Sequence, residues 1–208
     1  SDYDDAIHRR HPIALDAADE VLLRSADAAH TSLYSHFAPG ALERLCDLGI
    51  PVSFDFSSDW REETVEAVCP RVRWAFFSMS HLDAAAAEAL LRRAVSLGAA
   101  VAVGTRGLQG ALLFDGENTL RQRAYVVRTR DALGAGDSFI ARFLASCLQG
   151  ERLLVNCAAR SARLSAGDIA DLRKATLVGA LSHAAAFAAS TCAQEGAFCS
   201  GIARTEGE

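Results

Sequence analysis

The sequence predicts an α/β fold built on a mainly parallel sheet. Short apolar runs typical of strands alternate with longer segments of helical spacing along most of the chain. Repeated strand–helix units of this kind imply parallel strands joined by right-handed crossovers. The run Ala99 to Val103 is apolar throughout, as expected of a parallel strand covered on both faces. Half of the 208 residues are hydrophobic, enough for the core of a single domain over residues 1–208.

The order of the elements follows from apolar spacing and from turn residues. We expect strands at residues 27–33, 51–56, 72–77 and 99–103, and a hairpin of residues 111–114 and 121–127 around Asp115-Gly116. Helices are expected at residues 39–48, 60–68 and 82–97, from Ser138 onward, and over the alanine-rich stretch 176–193. Residues 150–174 are interpreted as a surface helix pair or an insertion.

Charge, hydropathy and cysteine spacing exclude several classes of function. The net charge of −5, with no stripe of basic residues, argues against a nucleic-acid partner. No apolar run reaches about 18 residues without interruption, so no membrane span is expected. The six cysteines include no C-x-x-C pair, which indicates reduced core thiols in a cytoplasmic protein.

The run from Asp131 to Phe139, with the sequence DALGAGDSF, carries the strongest signal for chemistry. Small residues before a helix let main-chain N–H groups converge on an anion at the positive end of the helix. A carboxylate there repels a bound anion, so Asp137 fits better as a base that takes a proton from an attacking hydroxyl. A glycine turn with a capping aspartate is the alternative explanation, and short motifs of this kind recur by chance.

The whole nine-residue run resembles the second signature of the ribokinase/PfkB carbohydrate kinase family, with Ala132 where threonine is usual. The run F-D-F-S-x-x-W from Phe54 to Trp60, followed later by D-S-F-I-A from Asp137, resembles the fructoselysine 6-kinase branch of the family. The resemblance implies a three-layer α/β/α ribokinase-like fold with a mainly parallel sheet. It also implies that Asp137 is the catalytic base and that the N–H groups of Gly134, Ala135 and Gly136 form an anion hole.

Two further segments match nucleotide-binding positions of the family. The loop Thr105-Arg-Gly107-Leu-Gln-Gly110 resembles the T-L-G-x-x-G loop beside the nucleotide phosphates, where glycines permit close approach of the main chain. An ordinary strand-to-hairpin loop is the alternative. Gly196 follows a helix of small residues that forms the adenine slot in relatives. Helix–helix packing through small residues explains that helix equally well.

Other site residues follow from the resemblance alone. Asp131, Leu133, Gly196 and Ser200 stand where relatives hold a monovalent cation such as K⁺. Asp55, at the end of the run F-D-F, is a candidate for the substrate side of the cleft, or else a capping or turn carboxylate. His30 and His36 are interpreted as hydrogen-bonding residues at strand edges rather than ligands.

Two departures from the family pattern qualify the resemblance. Ser78-Met-Ser-His81 stands where most relatives carry N-x-x-E, which organises the water shell of Mg²⁺. The chain begins Ser-Asp-Tyr, and the G-G-x-x-x-N segment, substrate-binding aspartate and lid of relatives have no counterpart in it. We therefore expect residues 1–208 to match the C-terminal two-thirds of a PfkB kinase.

The expected function is transfer of the γ-phosphoryl group of ATP, with Mg²⁺, to a primary hydroxyl of a sugar or of a fructoselysine-like sugar–amine adduct. One alternative is a nucleotide-binding remnant without turnover. Another is a PfkB-type kinase of a nucleoside or a vitamin alcohol. The expected partner is a small-molecule sugar in the cytoplasm, without nucleic acid or membrane, and with a homodimer as the candidate assembly.

Overall fold

The computed structural model describes residues 11–160 and 164–196, apart from the side chains of residues 158–160. The strands are β1 (Ala29–Ser32), β2 (Val52–Asp55), β3 (Trp74–Ser78), β4 (Val101–Thr105), β5 (Ala111–Phe114) and β6 (Thr119–Gln122). The α-helices are α1 (Ala17–Arg24), α2 (Ala41–Asp47), α3 (Glu62–Val68), α4 (Ala84–Leu97), α5 (Ala135–Arg160) and α6 (Ala166–Cys192). Two 3₁₀ turns cover Cys69–Arg71 and Gly107–Gln109.

The six strands form one sheet in the order β1-β2-β3-β4-β5-β6. β1 and β2 pair in parallel with Ser32 opposite Asp55, and β2 pairs in parallel with β3, with Asp55 opposite Phe76. The expected α/β fold with helices flanking the sheet is confirmed. Because parallel strands end at the same sheet edge, this register brings the carboxyl ends of β1 and β2 side by side.

The chain divides into two compact units, residues 1–104 with 113–119 and residues 105–112 with 120–208. In the first unit the core is aromatic: the rings of Phe56 and Phe77 stack at 4.7 Å, and both are buried. Met79 is also fully buried, and a Cβ on Gly104 would lie 1.8 Å from its Cε. Glycine in β4 therefore makes room for this methionine.

The second unit contains the two longest helices, α5 and α6, packed against each other. Their contacts run in opposite chain directions: Ser138 pairs with Thr191 near one end, and Gly150 faces Thr176 further along. The helices are therefore antiparallel. A capping box begins α6, with the Ser165 hydroxyl accepting from the Asp168 N–H and the Asp168 carboxylate accepting from the Ser165 N–H.

Several predicted boundaries were wrong. β4 lies two residues later than the apolar run 99–103, and β6 covers Thr119–Gln122 instead of residues 121–127. α5 begins at Ala135, before the expected Ser138, and continues through the first part of the stretch 150–174 to Arg160. α6 begins within the same stretch. The sequence analysis did not anticipate α1, in which no residue is buried.

α6 is long and apolar enough to cross a membrane by length and composition, contrary to the expectation that the chain contains no such segment. One helix of this kind is weak evidence for a membrane protein, since core helices pass the same test. Its buried residues include Ala180, Leu181 and Ala184, and α5 packs against it.

The described cysteines are free thiols, as expected, but not all are core residues. Cys69 and Cys147 are buried, whereas Cys157 is exposed. Burial raises the pKa of the Cys69 thiol to about 12, with a smaller contribution from the negative charge of Glu62. The raised pKa keeps this thiol protonated and unreactive at neutral pH.

Gly150→Ala and Gly179→Ala provide a matched test of the close approach of α5 and α6. A Cβ at Gly150 would lie 2.3 Å from Thr176 Cγ2, whereas a Cβ at Gly179 would meet nothing within 4 Å. Both substitutions gain about 1 kcal/mol of helix propensity, but overpacking at Gly150 costs about 1–3 kcal/mol. We expect Gly150→Ala to be the less stable variant by that difference in urea unfolding. Adding Thr176→Ala to Gly150→Ala should restore the stability of that variant. Equal stability of the two glycine variants would contradict the close approach of α5 and α6.

Candidate active site

The predicted anion hole lies at the start of α5. Gly134 precedes the helix with a positive φ of 75°, a left-handed conformation that glycine adopts without a Cβ penalty. The first hydrogen bond of the helix runs from the Ser138 N–H to the Gly134 carbonyl oxygen at 2.9 Å. Gly134 therefore turns the chain, whereas Gly136 has a negative φ inside the helix and open space around its Cβ position.

The N–H groups at this helix terminus are not equivalent. The Ala135 N–H already donates to the Ala132 carbonyl oxygen at 3.2 Å. The N–H groups of Gly136 and Asp137 have no backbone acceptor in the described part of the chain, as is usual for the first turn of a helix. The first turn of α5 therefore offers the N–H groups of Gly136 and Asp137 as donors, whereas the N–H of Ala135 is engaged in a turn.

Asp137 lies in the first turn of α5 with an exposed side chain. Within residues 11–160 and 164–196, its carboxylate has no hydrogen-bond or ion-pair partner. A carboxylate beside N–H donors of a first helical turn can act as a general base next to an anion hole, and this role of Asp137 stays a prediction.

The segment before α5 is tied to the end of α6 by the Asp131 carboxylate. One oxygen of Asp131 accepts from the Leu133 N–H at 2.9 Å, and the other accepts from the Gly196 N–H at 3.2 Å. The Cys192 carbonyl oxygen accepts from the N–H groups of Arg130, at 2.8 Å, and of Asp131, at 3.4 Å. The hydrogen bonds to Gly196 and Cys192 join residues that are more than sixty positions apart in the chain, 65 for Asp131 and Gly196.

A buried pair of hydroxyls joins the same two helices one residue beyond Asp137. Thr191 Oγ1 donates to Ser138 Oγ at 2.8 Å, and both residues are buried. The sequence analysis missed this pair, because a threonine in a helix ordinarily bonds to the carbonyl four residues earlier. That contact, to the Phe187 carbonyl oxygen, is also present, at 3.2 Å.

Of the predicted cation ligands, the structure brings Asp131, Leu133 and Gly196 together, and Ser200 lies outside the described residues. The Asp131 oxygens are occupied by the two N–H groups. The adenine slot is only partly described, since residues beyond Gly196 are outside the described part. The buried alanines Ala184 and Ala189 belong to the packed side of α6, in line with the helix-packing alternative.

The predicted phosphate loop follows β4. Gly107 and Gly110 both have positive φ, 55° and 87°, and the Arg106 N–H closes the loop on the Gly110 carbonyl oxygen at 2.7 Å. A Cβ on Gly110 would lie 2.0 Å from the Gln122 carbonyl oxygen, so close packing against β6 requires this glycine. Gly107 has open space beside it, and Thr105 ends β4. Of the two glycines in this loop, only Gly107 has open space beside it for a ligand atom.

At the carboxyl ends of β1 and β2, Asp55 forms a turn: its carboxylate accepts from the Ser57 N–H at 2.8 Å. Ser57 has a φ of 54°, an uncommon conformation for a residue with a side chain. Tyr34 donates to Asp59 at 2.8 Å. A hydrogen bond with Ser57 lowers the pKa of Tyr34, but the Asp59 hydrogen bond, burial and nearby carboxylates together raise it. Sequence reasoning did not identify this Tyr34–Asp59 contact.

The segment in the position of the N-x-x-E motif contributes little that could hold a metal. Met79 fills the core and His81 is exposed. No group of three or more His, Cys, Asp or Glu side chains in the described residues could hold a metal ion. The expected Mg²⁺ therefore has no cluster of protein ligands in this part of the chain.

Comparison with known proteins identifies the family. The model of the pfkB family carbohydrate kinases matches residues 63–200, which is more than half of the chain. The protein therefore belongs to the PfkB family, as the signature at Asp137 predicted. Fructosamine kinase FrlD of Bacillus subtilis (strain 168) is 41% identical over 138 residues, covering 66% of this chain and 48% of the relative. Fructoselysine 6-kinase of Shigella flexneri is 34% identical over 143 residues, covering 67% and 53%.

Solved structures share the fold at low identity. The acarbose kinase Mak1 superposes with a TM-score of 0.63 at 21% identity, covering 87% of this chain and 54% of that one. A putative ribokinase II from E. coli in complex with ATP and Mg²⁺ gives 0.57 at 20%, covering 86% and 56%. These likenesses confirm the ribokinase-like fold. The chain spans about half the length of the relatives that it matches.

Asp131→Asn tests whether the carboxylate joins α5 to α6. An amide retains only one acceptor oxygen, so one of the two N–H groups loses its partner, at a cost of about 1–3 kcal/mol. We expect lower stability in urea unfolding for Asp131→Asn, and little change for Asp137→Asn, whose carboxylate has no hydrogen-bond partner among the described residues. Equal stability of the two variants would show that the Asp131 contacts contribute nothing.

Proposed function

We propose that this protein is the nucleotide-binding and catalytic-base region of an ATP-dependent sugar kinase. The observation that carries the proposal is the exposed carboxylate of Asp137, which has no partner among the described residues, beside N–H groups of the first turn of α5. Membership of the PfkB family and similarity to kinases of sugar–amine adducts support it.

In the proposed reaction, Asp137 accepts the proton of a primary hydroxyl while that oxygen attacks the γ-phosphorus of ATP. The bond between the γ-phosphorus and the bridging oxygen breaks, and ADP leaves with the electron pair. The N–H groups of Gly134 and Gly136 stabilise the charge on the transferring group, and Ala135 joins them if its turn hydrogen bond opens. Positioned proton transfer of this kind contributes about 10²–10⁴ in rate.

The fit of ATP rests on the helix terminus and on the loop after β4. The open space beside Gly107 and the N–H groups of the first turn of α5 suit phosphate oxygens. Thr105 supplies a hydroxyl at the end of β4. Mg²⁺ supplies charge neutralisation on the phosphates when it is bound with the nucleotide. The described residues include no cluster of His, Cys, Asp or Glu side chains that would hold the ion directly.

The proposed substrate is a sugar–amine adduct resembling fructoselysine, phosphorylated in the cytoplasm. The names of the two curated relatives support this choice over a nucleoside or a vitamin alcohol. Asp55, at the carboxyl end of β2, is the proposed contact on the substrate side within the first unit. A monovalent cation near Asp131 and a homodimeric assembly are further proposals, carried only by the family resemblance.

Asp137→Asn should abolish phosphoryl transfer and leave ATP affinity within a few fold. The amide keeps the shape of the side chain but cannot accept the proton, so turnover should fall by about 10²–10⁴. Turnover is measured with ATP on fructoselysine, fructose, ribose and a nucleoside, and ATP binding by calorimetry.

Asp171→Asn, on an exposed carboxylate of α6, is the matched control and should retain native turnover. Native turnover of Asp137→Asn would overturn the proposed base. Activity on the nucleoside alone would favour a nucleoside kinase, and ATP binding without turnover on any acceptor would favour the non-catalytic alternative.

Gly136→Val separates phosphate binding from folding. Gly136 has a negative φ and no atom within 4 Å of its Cβ position, so stability should change little. A branched side chain beside the N–H donors should still weaken ATP binding, by about tenfold. Gly134→Val, at a φ of 75°, should instead lose about 1–2 kcal/mol of stability. Unchanged ATP affinity in Gly136→Val would show that the loop is only a structural turn.

A further inference from the structure

The hydroxyl pair Thr191–Ser138 is a side-chain hydrogen bond between two buried residues. Ser138 directly follows Asp137, and Thr191 lies in the last turn of α6. The contact therefore connects the proposed base to a helix end 53 residues further along the chain.

The first turn of a helix is its least constrained part, because its N–H groups lack intrahelical partners. Shortly after Asp137, the side chains of Phe139 and Ile140 are buried and anchor this part of α5 by apolar packing. Apolar packing of this kind is non-directional and tolerates small shifts along and around the helix axis. A hydrogen bond of 2.8 Å is directional and fixes the Ser138 side chain, and with it the adjacent backbone.

The Thr191 hydroxyl lies within hydrogen-bond distance of a partner on each of the two helices. Thr191 has two acceptors in reach, Ser138 Oγ at 2.8 Å and the Phe187 carbonyl oxygen at 3.2 Å. The shorter distance belongs to the partner on the other helix. Because a hydroxyl donates one proton and accepts through its lone pairs, Thr191 keeps its bond to Ser138 in either arrangement: it donates to Ser138 Oγ, or it donates to the Phe187 carbonyl oxygen and accepts from the Ser138 hydroxyl.

We propose that Thr191 is a positioning residue for phosphoryl transfer: through Ser138 it sets the placement of the Asp137 carboxylate. The inference rests on the proposed role of Asp137 as base. It goes beyond that role, because it concerns two buried hydroxyls and not the exposed carboxylate itself. Misplacement of a reacting group by about 1 Å can cost about 10²-fold in rate, so small shifts of this turn matter.

The test uses variants that separate stability from positioning. Thr191→Val keeps the volume but removes the hydroxyl and leaves Ser138 unpaired, so both stability and kcat should fall, kcat by about tenfold or more. KM for ATP should stay within about twofold. Thr191→Ser keeps the hydroxyl and should restore kcat to within about threefold of native.

The double variant Ser138→Ala/Thr191→Val distinguishes the two effects. Removing both partners leaves no unpaired buried hydroxyl, so stability should recover toward native. Because the directional contact is gone, kcat should stay low. Ser182→Ala, which removes the exposed Tyr125–Ser182 hydrogen bond from the same unit, is the control and should keep native kcat.

Native kcat in the double variant, or in Thr191→Val, would overturn the inference and leave the pair a structural contact. Asp137→Asn, assayed alongside, tests the proposed function separately. If it is inactive while Thr191→Val has native kcat, only the positioning role fails. If it is active, the proposed base fails, and the positioning role fails with it.

Discussion

The end of α6 holds the start of α5 through backbone and side-chain hydrogen bonds that would otherwise go to water. The Cys192 carbonyl oxygen lies near the end of its helix, where carbonyl groups lack intrahelical partners. It accepts N–H groups from Arg130 and Asp131, which satisfies it and fixes the approach to the next helix. The loop that carries the kinase signature is therefore supported by a helix terminus that comes much later in the chain.

The glycines of the candidate site are needed for different physical reasons, although they look alike in the two sequence motifs. Gly134 is required by its positive φ, and Gly110 by the 2.0 Å approach that a Cβ would make to Gln122. Gly136 has neither constraint: its conformation suits any residue and its surroundings are open. Neither backbone strain nor packing explains Gly136, and the proposed phosphate site supplies a reason for its small size, since glycine permits close approach of a ligand to the main chain.

Sequence reasoning succeeded where the signal is local. Apolar runs located most strands to within two residues, and the nine-residue signature identified the family. It failed for elements whose limits depend on tertiary packing. Residues 123–127 have strand-like composition, yet Tyr125 and Val126 are largely exposed, and β6 ends at Gln122. α1 buries no side chain, so no apolar stripe marks it, and its Asp16–Asp19 capping box was the available signal.

The same limit applies to the site. The sequence identified Asp137 and its glycines as candidates, but it did not predict the hydrogen bonds that fix this segment against α6. α6 is so rich in alanine and other small residues that no single stripe marks the side that packs on α5, so Thr191 could not be paired with Ser138. Asp131 and Gly196 were expected to share a cation. The structure brings them into direct hydrogen-bond contact, which spacing along the chain does not distinguish from shared ligation of a cation.

The carboxylates of the second unit differ in how many of their lone pairs are committed, and this difference favours Asp137 as the base. Asp131 has both oxygens engaged by N–H groups. Asp168 accepts from the hydroxyl and the N–H of Ser165, which lower its pKa and make it a poorer proton acceptor. A general base needs an oxygen free to receive a proton and a place beside the reacting group. Among these three, Asp137 alone has no partner in the described part of the chain and lies at a helix terminus suited to phosphate.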